Sequence, residues 1–323
     1  MRDSFDRSVD YMRVSITDRC NLRCAYCMPE KFAYIAHDDI LRYEEILRVC
    51  TIAAKIGIRT IKITGGEPLV RKGCLEFIRE LRKVPDIQHV TLTTNGVLLE
   101  PYIAALVELR LDGLNISLDT LESETYLQMT GLDAFRQVWR SFKKALEAGL
   151  RVKINCVPIR GINEKELIHI GRLAETFPID VRFIELMPVG IDSHLQGIPS
   201  AEMIGLFSGE YSDWGPDPSL HGFGPARYFR SGRLKGSIGF IDAVSNHFCS
   251  SCNRLRLTSE GFFKLCLYHD DGLCLRRMLR NGASDSDIEA AMARAAYHKP
   301  ERHFFGSEAN EGEGIRTMWR IGG

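Results

Sequence analysis

From residue 11 to about 187, short runs rich in β-branched residues alternate with longer stretches whose apolar positions recur at helical spacing. The short runs predict strands at 11–17, 60–64, 90–94, 113–118, 152–158 and 180–185. The longer stretches predict helices near 43–56, 73–83, 101–110, 134–148 and 163–176; in the first, Ile46, Val49, Ile52, Ala53 and Ile56 repeat on one face. Strand–helix alternation of this kind builds parallel sheets with right-handed crossovers. Six units are too few for a closed eight-stranded barrel. The expected fold class is therefore α/β, a partial (β/α)6 barrel over 1–190.

Residues 188–245 break the pattern. They are rich in Gly, Pro, Ser and Asp and predict loops, a short helix and a hairpin. Helices are expected again at 274–281 and 284–296. Residues 191–323 are read as a C-terminal region, ending in a polar, glycine-rich tail.

Composition narrows the function. The 323 residues carry 42 basic and 42 acidic side chains, and such neutrality disfavours broad nucleic-acid binding. The first residues lack the apolar stretch of a secretory signal. No segment approaches the ~18 apolar residues that span a bilayer. The reading is a soluble, cytoplasmic protein without nucleic-acid or membrane partners, where ten cysteines are poor candidates for disulfides.

Six of the ten cysteines fall in two groups. Cys20, Cys24 and Cys27 follow the first predicted strand, on the face where α/β barrels carry their sites. Closed zinc sites and ordinary cubane clusters take four protein ligands. Three thiolates on a cubane leave one iron open for chemistry. Cys249, Cys252 and Cys266 form the second group. Their spacing alone leaves a zinc knuckle open, with Cys274, His247 or His269 as fourth ligand. Arg254 and Arg256 alternate on a strand-like run beside them, so both face one side, as a phosphate clamp would. Cys50, Cys74 and Cys156 stand among apolar neighbours and read as packing residues.

The pattern Cys20-x3-Cys24-x2-Cys27, with Tyr26 before the last cysteine, resembles the radical S-adenosylmethionine (SAM) superfamily. Thr64-Gly65-Gly66-Glu67-Pro68, Thr93-Thr94-Asn95-Gly96, Ser117-Leu118-Asp119 and Met187 end successive strands and extend the likeness. The segments MRVSITDRCNLRCAYCMP, IKITGGEPLVR, VRFIELMP, FCSSCNRLRLT, KLCLY and the terminal GG narrow it. Nearly the whole chain resembles the MoaA family, the GTP 3′,8-cyclases of molybdenum-cofactor biosynthesis.

That resemblance implies two [4Fe–4S] clusters, on Cys20, Cys24 and Cys27 and on Cys249, Cys252 and Cys266. It implies SAM contacts at Tyr26, Gly66, Ser117 and Met187. It implies GTP contacts at Arg13, Lys62, Thr93, Lys153, Arg254, Leu255 and Arg256, and a Gly322-Gly323 tail that enters the active site. The tail from Lys299 to Gly323 is long enough, at ~3.3 Å per residue, to reach the barrel mouth. The implied partners are GTP, a flavodoxin- or ferredoxin-like electron donor and a downstream cyclic pyranopterin monophosphate synthase; a homodimer is compatible. The chain departs from the family pattern at Cys274, read as a helix-core residue, at Thr60, where members often carry Lys, and at Asp6-Arg7, usually Gly-Arg. Arg182 is expected inside the barrel, paired with Glu185 or Glu67. A radical SAM peptide maturase with an auxiliary cluster is the alternative, disfavoured because no extra cysteines or peptide-binding domain appear. A non-enzymatic zinc or iron–sulfur protein touching RNA is a second, disfavoured by neutral charge.

Overall fold

The computed structural model describes residues 1–29, 32–189, 194–305 and 317–322. Its centre is one twisted sheet of twelve strands. Six come from the successive units: β1 (Tyr11–Ser15), β2 (Thr60–Thr64), β3 (His89–Thr94), β4 (Gly113–Ser117), β5 (Val152–Cys156) and β6 (Asp180–Ile184). The remainder are β7 (Gly215–Pro216), β8 (Arg227–Arg230), β9 (Ser237–Ile241), β10 (Arg254–Leu257), β11 (Phe262–Lys264) and β12 (Gly272–Cys274).

The sequence predicts six parallel strands, and the parallel run holds eight. β10 pairs with β1 and β9 pairs with β6, both in parallel. The C-terminal region thus covers both edges that six units would leave open. Beyond them the sheet turns antiparallel, through β11 and β12 on one side and β8 and β7 on the other. The β8–β9 pair is the expected hairpin. The helix before it, Ser200–Glu210, is three turns long.

Strand alternation explains the barrel. Met12, Val14, Ile61, Ile63, Leu92, Leu114, Ile116, Ile154, Val181 and Phe183 are fully buried and face the helices. The intervening positions, among them Arg13, Lys62, Asn115, Asn155 and Arg182, turn into the barrel. Outside, the helix Tyr43–Lys55 buries Ile46, Val49, Ile52 and Ala53 of the predicted stripe, with Cys50 beside them, and Ile56 caps its end. The segment near 163–176 splits into Leu167–Gly171 and Leu173–Thr176. An unpredicted helix, Ser123–Thr130, carries the backbone that anchors the first cysteine loop.

Candidate active site

The first cysteine loop leaves β1 and is tied down by its own backbone. The amides of Cys27 and Met28 both donate to the Cys24 carbonyl, at 2.9 and 3.1 Å. Arg23 N and Ala25 N donate to Thr130 O and Met129 O. Cys20, Cys24 and Cys27 all line one cavity of about 260 Å3 inside the barrel. Burial pushes the Cys20 thiol up to about 11, that of Cys27 to about 12 and that of Cys24 well above its usual value. Three clustered thiols whose ionisation is this costly need a cationic centre to become thiolates. Asn95 Nδ2 and Leu22 N donate toward the Cys20 sulfur, contacts that would orient it as a ligating thiolate. The residues fit a cluster held by three cysteines.

Around this loop, β2 delivers Gly65, Gly66 and Glu67. Gly66 N donates to Thr17 O at 2.7 Å. A Cβ at Gly66 would lie 2.4 Å from the Arg19 carbonyl oxygen, so only glycine fits the close approach. Burial lifts the Glu67 carboxyl to about 7, against hydrogen bonds from Asn95 N, Leu69 N and Thr94 Oγ1. Asp119 is lifted to about 6 by burial and accepts from Tyr26 OH and Val157 N, each at 2.7 Å. Two buried carboxyls beside an apolar-lined hollow suit a ligand with a positive group. Tyr26, Gly66, Thr93, Ser117 and Met187 all line the same cavity.

Cations converge from the other side. Arg13, Lys62, Arg182, Arg254 and Arg256 line the cavity, and none has a carboxylate ion pair among the described residues. Burial, reinforced by the neighbouring cations, drives Lys62 well below its usual value, and burial lowers Arg13 to about 10. Arg13 Nε and Arg182 Nε are buried without a hydrogen-bond partner. Buried charge in this density is unfavourable unless an anion answers it. Arg182 donates to Asn115 Oδ1. The expected ion pair with Glu185 or Glu67 is absent because both acids are spent elsewhere: Glu185 accepts from Ser200 N, Val244 N and Ser245.

Cys249, Cys252 and Cys266 line an adjoining cleft of about 60 Å3, which shares Met187, Phe248, Arg254 and Arg256 with the main cavity. Burial raises the Cys249 thiol. At Cys252 burial acts upward too, but Lys299 and Arg254 outweigh it and the thiol sits below its usual value. The three cysteines and their cationic neighbours thus share one cleft.

Several expectations need correction. Cys274 is not in a helix core: it ends β12, is half-buried and does not line the cleft. Leu255 is fully buried in the apolar core, on the strand face opposite Arg254 and Arg256, so its side chain is withdrawn from the cavity. Lys153 lies outside the upper cavity. It sits at the strand-start end, in register with Asn115 and Asp180, and lines a lower cavity of about 830 Å3. The two cavities share Tyr11, Lys62, Arg182 and Gly224.

The tail returns to the barrel. Trp319 is buried against Phe32 and Tyr34, with ring centroids 5.4 and 6.1 Å apart. Gly322, at φ 89°, packs on Ser15 and Thr64, and its carbonyl accepts from Arg256 Nη1 at 3.1 Å. Gly323 lies outside the described residues. Sequence reasoning did not single out Lys299, whose buried ammonium donates to Leu265 O at 2.7 Å beside the second cysteine set; a lysine before a proline carries no pattern that marks it.

Residues 14–174 match the Radical SAM superfamily, and residues 179–305 match Molybdenum Cofactor Synthesis C. A GTP 3′,8-cyclase of Moorella thermoacetica is 44% identical over 327 residues, covering the full length of both chains. The chain belongs to the GTP 3′,8-cyclase family. A second GTP 3′,8-cyclase, from Clostridium perfringens, is 41% identical over 324 residues, again at full coverage of both. As a radical SAM protein, this cyclase-family chain uses SAM and an iron–sulfur cluster. SuiB of Streptococcus suis, solved with S-adenosylmethionine, shares the fold at TM-score 0.61 and 13% identity, covering 88% of this chain and 68% of SuiB. Full-length likeness to cyclases leaves the peptide-maturase alternative unfavoured. No helix among the described residues is long and apolar enough to cross a membrane.

Proposed function

We propose that this chain cyclises GTP to 3′,8-cyclo-7,8-dihydro-GTP for molybdenum-cofactor biosynthesis, using two [4Fe–4S] clusters that face one cavity. The observation that carries the reading is the pairing of two cysteine triplets with five cavity-lining cations that have no carboxylate ion pair among the described residues. When bound on Cys20, Cys24 and Cys27, the first cluster with SAM would supply the radical chemistry that joins the ribose 3′ carbon to C8 of guanine, with the electrons coming from the external donor.

The chain's own residues aim and enclose that chemistry. Cys20, Cys24 and Cys27 hold the first cluster. Glu67 accepts from the SAM ammonium group, Gly66 lets the backbone approach it, and Tyr26, Ser117 and Met187 complete the SAM site. Cys249, Cys252 and Cys266 hold the second cluster at the guanine end of GTP. Arg13, Lys62, Lys153, Arg254 and Arg256 answer the triphosphate, with Thr93 as a polar contact. Arg182 lies among them and Asp180 offsets Lys153, so about five uncompensated positive charges face about four negative ones. Gly322, held by Arg256, closes the barrel mouth and excludes water. The working division is a barrel to residue 190 and a second-cluster region after it. The partners in this reading are a flavodoxin- or ferredoxin-like donor and a cyclic pyranopterin monophosphate synthase, in the cytoplasm, with a homodimer compatible.

Anaerobic reconstitution, then SAM, dithionite and GTP, tests the reading. Roughly eight iron atoms per chain are expected for two cubanes, with GTP-dependent 5′-deoxyadenosine. Deoxyadenosine with untouched GTP refutes the cyclase. Iron near four with one zinc refutes the second cluster.

A further inference from the structure

The lower cavity is floored by a loop that no established feature explains. Leu220, His221, Gly222, Phe223 and Gly224 cross the strand-start end of the barrel, and Phe223 stacks on His89 with centroids 4.2 Å apart. Lys153 meets this loop. Its ammonium donates to Asp180 Oδ2 at 2.6 Å, to the His221 carbonyl and to Tyr228 OH at 3.3 Å. An ammonium has three donors, so all of them are spent. A phosphate can reach Lys153 only if one acceptor gives way.

The three acceptors differ in how readily they yield. Asp180 is the ion-pair partner of Lys153 and stays. Tyr228 is fixed on β8. The His221 carbonyl is neutral and belongs to a loop, and a phosphate oxygen makes a stronger, charge-assisted bond than a carbonyl does. What holds the carbonyl in place is the His221 ring. It lies between two carboxylates, 3.0 Å from Asp180 Oδ1 through Nδ1 and 3.0 Å from Asp217 Oδ2 through Nε2, and stacks on Tyr228 at 4.0 Å. Asp217 is in turn fixed by Ser219 N and Ser237 Oγ. The ring is a latch with both nitrogens engaged.

We infer that His221 and its loop read the length of the substrate's phosphate chain: the terminal phosphate displaces the His221 carbonyl from Lys153, and shorter nucleotides leave the latch closed. This rests on the proposed role of Lys153 as a phosphate contact. His221 is a positioning residue, acting through Lys153. Displacement works against the latch, so weakening the latch favours the triphosphate alone.

The test uses reconstituted enzyme without reductant, with GTP, GDP and GMP as probes. Amide hydrogen exchange over 217–224 should rise with GTP and stay unchanged with GMP. His221→Ala should bind GTP roughly tenfold more tightly, a change of the size of one charge-assisted hydrogen bond, with GMP and SAM affinities unchanged. The inference is overturned if the loop's exchange ignores all three nucleotides, or if His221→Ala alters GTP and GMP affinity alike. Lys153→Ala separates the premise: an unchanged preference for GTP over GMP removes Lys153 from the phosphate site altogether, whereas a lost preference with an unresponsive loop refutes the latch alone.

Discussion

Glu67 offers a test of the site's electrostatics that needs no cofactor. Its side chain is 1% exposed, and burial lifts it from the usual 4.5 to about 7. Between those values the folded chain holds a proton that the unfolded chain has released. Stability from this group is therefore full below about pH 4.5 and falls as pH rises through 7. At 1.36 kcal/mol per unit the whole span is about 3 kcal/mol, of which about 2 kcal/mol falls between pH 5.5 and 8. Glu67→Gln removes the titration and keeps the shape. Urea unfolding of cluster-free wild type and variant across that range isolates it, since Asp119 and Lys62 contribute equally to both proteins. The stability difference should move by about 2 kcal/mol in favour of the variant at pH 8. The same group predicts SAM affinity that rises from pH 6 to 8 as the carboxylate forms, a slope Glu67→Gln should lack. A stability difference that is flat with pH would show that Glu67 is solvated in the cluster-free protein, and the argument for a carboxylate waiting on an ammonium ligand would fall.

Other outcomes follow from the same geometry. Cys24→Ala should abolish 5′-deoxyadenosine, whereas Cys252→Ala should leave some uncoupled SAM cleavage while losing the GTP product; chromatography of the two products decides. Arg256→Ala should weaken GTP binding by one charge-assisted contact, about 1.5–3 kcal/mol, and free the Gly322 carbonyl, seen as faster proteolysis of the tail. Phe207, fully buried, stacked on Trp214 and packed at a tilt against Phe183 and Phe240, should cost about 3–5 kcal/mol on change to Ala, read as a lower unfolding midpoint with SAM affinity intact.

The six strands of the repeating units were legible because each presents alternate apolar residues, and the motifs at their ends could be placed on one face from order alone. What the chain did not disclose is long-range pairing. Ser237–Ile241 and Arg254–Leu257 look like any short strands, and their partners lie far away in sequence. Nothing local says that one joins β6 and the other β1. The depth of Lys153 in the barrel was hidden for the same reason. Its strand position says that it points inward, but not that its register places it at the lower end beside Asp180. Leu255 entered through its neighbours Arg254 and Arg256; alternation along β10 turns it into the core.

The pairing of β10 with β1 has a consequence for the substrate. Tyr11 is in register with Arg254, and Arg13 with Arg256. Cys252 precedes the start of β10, while Cys20 follows the end of β1 on its neighbour. The two cysteine sets therefore leave opposite ends of adjacent parallel strands. The five residues of β1, from Tyr11 to Ser15, separate the ends by about 13 Å over their four steps, and the loops add to that. A strand shorter by two residues would lose about half of this spacing and one layer of inward cations, Arg13 with Arg256. A single strand length thus sets both the gap between the proposed clusters and the number of cations that line it. SAM at one end and guanine at the other would then meet across a span that the sheet, and not the loops, holds rigid.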